Sequence, residues 1–150
     1  MIGKGNTFET DLLALILNAT PIANMADNAA SSPFTNLYIA LHTADPGEAG
    51  DQTTSEATYT GYARAAIVRS NGAPAWTISS PSGVGTAKNT GAVTFAACTG
   101  GSNTITHFSV GVASSGASKL LYSGALTASL AVSNLVTPSF AANALVLTED

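Results

Sequence analysis

Charge is what this sequence has least of. Lys, Arg, Asp and Glu make up 9% of its 150 residues, against about 25% in an ordinary soluble domain. Three lysines and two arginines cannot line a groove that neutralises a run of phosphates, and the net charge of −4 works against it, so no nucleic-acid partner is expected. A single cysteine, Cys98, rules out a disulfide within the chain. No apolar run approaches the roughly 18 residues of a membrane-spanning helix, so no membrane partner is expected either. Disorder would pair low hydrophobicity with high charge, whereas 45% of these residues are hydrophobic. Alanine (27), threonine (19) and serine (16) fill the space that charge leaves. The composition is that of a folded chain with a neutral, hydroxyl-rich surface, long enough for one core.

Residues 1–19 resemble a secretory signal in outline, but Glu9 and Asp11 stand where a targeting segment carries positive charge. The segment instead predicts a helix over 7–19. Thr7 or Thr10 caps it, the two carboxylates suit its N-terminal dipole, and Leu12, Leu13, Ile16 and Leu17 form an apolar stripe. Asn18 and Pro21 end it. Residues 20–33 keep no period and read as a loop. Over 34–43 the pattern alternates, with Leu37, Ile39 and Leu41 on one face, which predicts a half-buried strand. An acidic loop over 44–60 follows, opening on a Pro-Gly turn. Further strands are predicted at 59–69, 76–78, 89–96, 104–112, 120–126, 130–136 and 140–148, separated by turns such as 71–74 and 81–85. One helix followed by about eight short strands, without a βαβ rhythm, predicts a mainly β fold. Its architecture is a compact antiparallel β-sandwich or barrel-like single domain over residues 1–150, with one N-terminal helix.

Catalysis has little to stand on. Cys98 with a histidine base is a formal nucleophile pair, but its setting, FAACTGG, points to packing or a turn. His42 ends a strand before the acidic turn, where a hydrogen bond to Asp45 is the expectation. Asp45, Glu48 and Asp51 recur three apart and offer oxygen ligands of the calcium kind. The DxDxDG ladder and its bidentate glutamate are missing, so a solvated acidic turn is expected and no metal. The GVG at 83–85 lacks the helix and Lys-Ser pair of a phosphate loop. No cofactor and no enzymatic activity are expected.

The aromatic residues Tyr38, Tyr59, Tyr62 and Trp76 suit core packing or subunit contacts. Arg64 and Arg69, the only arginines, fall on opposite faces of the predicted strand over 59–69. Arg64 shares its face with Tyr62 and reaches toward Glu56 or Asp51 as a surface or interface ion pair. The interface candidates are thus Tyr38, Asp45, Glu48, Asp51, Tyr59, Tyr62, Arg64, Arg69 and Trp76. Between Ser70 and Thr148 only Lys88 and Lys119 carry charge. Uncharged sheet edges aggregate unless something covers them. The N-terminal helix can cover one edge and neighbouring copies of the chain others, which predicts work inside an assembly.

The blocks LYIALHTADPGEAG, YTGYARAAIVRS, NTGAVTFAA, ITHFSVGVASSGASKLLYSGAL and PSFAANALVL point further. Together they resemble a family of small virion structural proteins of tailed bacteriophages, often labelled tail fibre. Related small β-rich proteins serve as capsid decoration or cement subunits. The resemblance runs from about Leu12 to Leu147 and is most specific over Leu37–Gly50 and Gly61–Arg64. It implies a virion part without a catalytic motif. The sequence shows no repeats, heptads or shaft, which favours a capsid decoration protein on the capsid surface. Such a subunit binds the assembled head and bridges copies of the major capsid protein, with the loops over 20–33 and 44–60 reaching its neighbours. The expected partners are the major capsid protein and neighbouring copies of the chain itself. The alternative is a tail component: tail tube, terminator or fibre-associated protein.

Overall fold

Glu9, Leu13 and Leu17 recur every fourth residue, so a helix places them on one face. In the computed structural model, which describes residues 6–22, 34–69 and 75–149, that helix is α1 (Asn6–Asn18), and all three side chains are buried. Nine strands follow among the described residues: β1 (Asn36–His42), β2 (Ala65–Val68), β3 (Trp76–Ser79), β4 (Gly85–Asn89), β5 (Val93–Thr94), β6 (Asn103–Gly111), β7 (Leu120–Val132), β8 (Ser139–Phe140) and β9 (Val146–Glu149). The fold is mainly β with one N-terminal helix. The pairings β1–β6, β6–β7, β3–β4 and β4–β9 all run antiparallel. Residues 23–33 of the loop expected over 20–33, and the turn expected over 71–74, lie outside the described residues.

The chain forms two compact units, each drawn from non-adjacent segments. In the first, α1 packs on a three-stranded sheet of order β3-β4-β9. Because it meets all three strands, the helix lies over a face of this sheet and does not cap an edge, as the sequence had suggested. Leu13, Leu17, Trp76, Ala87, Leu145 and Leu147 are the buried apolar residues there. Gly85 opens β4 in a stretch that reads as turn. A Cβ at that position would stand 2.7 Å from the Cβ of Glu9, so only glycine lets the helix come this close. The Gly85 N–H donates to Glu9 Oε2 at 2.8 Å, so the glutamate expected to serve the helix dipole also ties α1 to β4.

The second unit is built on a four-stranded sheet of order β2-β1-β6-β7. β1 is internal, and the expected alternation of Leu37, Ile39 and Leu41 is present. Its other face is covered too: Ala40 and His42 are buried as fully as Ile39. The strand predicted over 59–69 shortens to β2, since Gly61 turns at φ 96° and Tyr62 N–H closes the turn on Tyr59 O at 3.0 Å. The two strands expected at 120–126 and 130–136 are one, β7, which ends at Val132. Between them the register slips: Ile105 lies opposite Leu130, but His107 lies opposite Ala125. β7 accommodates its extra residues as a bulge, so the break in alternation seen in the sequence is real but does not end the strand.

Candidate functional site

The segment from Thr43 to Arg64 leaves β1 and folds back over the second face of the same strand. It makes few sheet hydrogen bonds of its own. Thr43 N–H reaches Ser55 O and Ala57 N–H reaches Leu41 O, each at 2.8 Å. What holds it down is a buried polar cluster built on Arg64, whose side chain is 1% exposed.

The guanidinium has five N–H donors, and all five are used. Nε and Nη2 donate to the two carboxylate oxygens of Glu56 at 2.6 and 2.8 Å, a bidentate pair. Nη1 donates to Gln52 Oε1 at 3.2 Å and Ala113 O at 3.0 Å, and Nη2 also to Gly116 O at 2.9 Å. Glu56 Oε1 further accepts the Tyr62 hydroxyl at 3.0 Å, and that hydroxyl accepts Leu41 N–H at 3.1 Å. The hydrogen bond to Glu56 raises the Arg64 pKa, and burial pushes the Tyr62 hydroxyl well above the usual tyrosine range. Tyr62 also packs edge-on to Tyr59, with centroids 5.4 Å apart, and stacks on Phe95 at 6.4 Å.

Gln52 carries the cluster across to β6. Its Nε2 donates to Tyr38 O at 2.9 Å and to Ser109 Oγ at 3.3 Å, and its Oε1 accepts the Ser118 hydroxyl at 2.7 Å. The amide lies directly on Gly111, where a Cβ would come within 2.2 Å of it. Next in line is His42. Its Nδ1 stands 2.8 Å from Thr54 O, which can only accept, so Nδ1 carries the proton. Nε2 is then the acceptor of the Ser109 hydroxyl, also at 2.8 Å. Burial lowers the His42 pKa and keeps the ring neutral. The expected hydrogen bond from His42 to Asp45 is not made; the ring is turned inward, away from the acidic turn.

The nine interface candidates divide. Tyr59, Arg64 and Trp76 are buried within the chain, and Tyr59 donates to Ala96 O at 3.1 Å. The Arg64 pair is therefore buried, not superficial, and it takes Glu56 and not Asp51. Tyr38 and Tyr62 are partly covered. Arg69 belongs to the other unit: it donates to Ile16 O at 2.5 Å and Leu15 O at 2.7 Å, placing a cation on the C-terminal carbonyls of α1. Asp45 and Glu48 are exposed and Asp51 is partly so. Asp45 Oδ1 accepts Gly47 N–H at 2.9 Å. Asp51 Oδ1 accepts the Thr53 hydroxyl and N–H at 2.6 and 2.7 Å, which lowers its pKa. No group of three or more His, Cys, Asp or Glu among the described residues is placed to hold a metal ion. Cys98 is fully buried, its Sγ 3.3 Å from Gly100 O.

Reading the sequence missed Gln52, Ser109 and Ser118. One signal was present: Gln52 is the chain's only glutamine, placed between an acidic turn and a run of small residues. Chemically the cluster is closed, since its donors and acceptors satisfy each other. Its product is position: a carboxylate-bearing segment held rigidly against a sheet. Among known protein families, the one described as Podophage GP4 fiber I protein gp80 matches residues 12–148 of this chain. No curated protein matches it.

Proposed function

We propose, on the premise that this chain belongs to the podophage GP4 fiber I protein gp80 family, that it is a fibre-associated subunit of the virion's tail apparatus. The chain is a phage structural protein, and the match over residues 12–148 is the observation that carries the finer reading. The fold supports it in two ways. The one α-helix among the described residues has 13 residues and packs on a sheet, so it is not free to form a coiled-coil shaft. The buried Arg64–Glu56 pair holds the segment over 43–64, which suits a part that must present a fixed surface. The tail reading is preferred to the capsid decoration expected from the missing shaft because the matching family is described as a fiber protein.

The experiment is localisation with copy number. Virions are separated into heads and tails, and the chain is labelled in electron micrographs and counted by quantitative mass spectrometry. The proposal expects the label on tail fibres, in the low copy number that tail symmetry dictates. Label spread over the head in numbers matching the capsid protein would replace it with the decoration role.

A further inference from the structure

Among the described residues of the second unit, the large apolar side chain left in water is Leu135, 82% exposed. Its backbone is unusual as well. Val136 N–H closes a turn on Ser133 O at 2.9 Å, and Leu135 holds the third position of that turn at φ 71°. Such a turn asks for glycine or asparagine there, because a Cβ at positive φ crowds the following carbonyl. The sequence has its asparagine one place early, at Asn134, and keeps leucine in the strained position. With so much of the side chain in solvent, burial does not offset the strain.

The turn is firmly held. Leu135 N–H donates to Cys98 O at 2.8 Å, and Cys98 N–H to Val136 O at 2.9 Å. The segment beneath is held in the same way: Phe95 N–H reaches Pro138 O at 3.0 Å, Thr99 N–H reaches Thr60 O at 2.9 Å, and Thr60 N–H reaches Gly100 O at 2.8 Å. Residues 58–63, 93–102 and 132–139 thus lie side by side within one unit. None of the three stretches contains Asp, Glu, Lys, Arg or His. Besides Leu135, every exposed residue on them is Thr, Ser, Ala, Gly or Asn.

We infer that this face is where two copies of the chain meet, with Leu135 as the anchor of a twofold contact. This goes beyond the fibre reading and does not depend on where in the virion the subunit sits. The partner follows from the charge. Asp45, Glu48, Asp51 and Lys119, charges of the same unit that reach solvent, all lie on other stretches. A charged partner surface would lose its water against hydroxyls and methyls that cannot neutralise it. In a twofold contact each patch meets its own image, so a charge near the axis faces its like. A patch without charge escapes that repulsion. A leucine fixed on a hydrogen-bonded turn also loses little freedom when it docks.

The test is sedimentation equilibrium of the full chain over a range of concentrations, with thermal unfolding recorded at dilutions where the dimer has dissociated. The parent should dimerise with concentration. Leu135→Gly and Leu135→Asn should weaken the dimer by about tenfold or more, the effect of removing a buried leucine. Both changes relieve the turn, so the Tm of the monomer should hold or rise. A residue that served only the fold would lower it. Ser133→Glu probes the same face with Leu135 in place: it sets like charges across the axis and should weaken the dimer while the monomer's Tm stays. A parent that stays monomeric at every concentration overturns the inference. So does a dimer that the three substitutions leave intact, or a monomer Tm that falls in both Leu135 variants.

Discussion

Replacing Arg64 by methionine keeps most of the side-chain volume and deletes the guanidinium. Five hydrogen bonds go with it. Gln52 Oε1 keeps its Ser118 donor and Glu56 Oε1 its Tyr62 donor, but the carbonyls of Ala113 and Gly116 lose the guanidinium. The larger penalty is Glu56 itself, a carboxylate whose side chain is 17% exposed and is left without its counter-charge. Breaking a buried ion pair from one side costs about 3–5 kcal/mol. At about 2–4 °C per kcal/mol for a chain of this size, the expected loss is roughly 6–20 °C in Tm. Differential scanning calorimetry is the assay of choice, because the single tryptophan, Trp76, belongs to the other unit. Removing both charges, Glu56→Leu with Arg64→Met, should recover part of the loss, since no stranded charge remains. A single Arg64→Met variant within about 1 kcal/mol of the parent would refute the claim that this pair holds the segment.

Three further substitutions probe the contacts around the cluster and the helix. Gly111→Ala puts a Cβ where Gln52 lies and should cost about 1–3 kcal/mol in urea titrations. Adding Gln52→Ala to it should cost little more, because the two changes remove the same contacts. Arg69→Met uncovers the carbonyls of Leu15 and Ile16 and should lower stability by about 1–2 kcal/mol, read as earlier loss of the helical circular-dichroism signal. Gly85→Ala forces Glu9 away from β4, and a shift in Trp76 emission with about 1–3 kcal/mol of destabilisation is expected.

The elements legible in the sequence were those whose signal is local. Leu13 and Leu17 one helical turn apart, and Leu37, Ile39 and Leu41 at every second position, reveal a helix and a strand because burial of one face imposes the period. β4 was hidden because its first residue is a glycine required by α1, a partner 76 residues earlier in the chain. β7 was divided because an extra stretch of residues mimics a turn in any one-dimensional pattern. Gly61 broke the strand drawn through Tyr62 and Arg64, which freed both side chains for the cluster.

The amino-acid order alone determined that this chain is mainly β with one N-terminal helix and sparsely charged, because composition and period are properties of short windows. It also supplied the blocks around His42 and Arg64 that carry the phage resemblance. Only the tertiary structure decided that Arg64 is sealed inside with Glu56 and Gln52, and that His42 bonds to Ser109, 67 residues away. Whether a polar side chain stands in water or inside a cluster depends on which distant segment folds over it, and no local pattern records that.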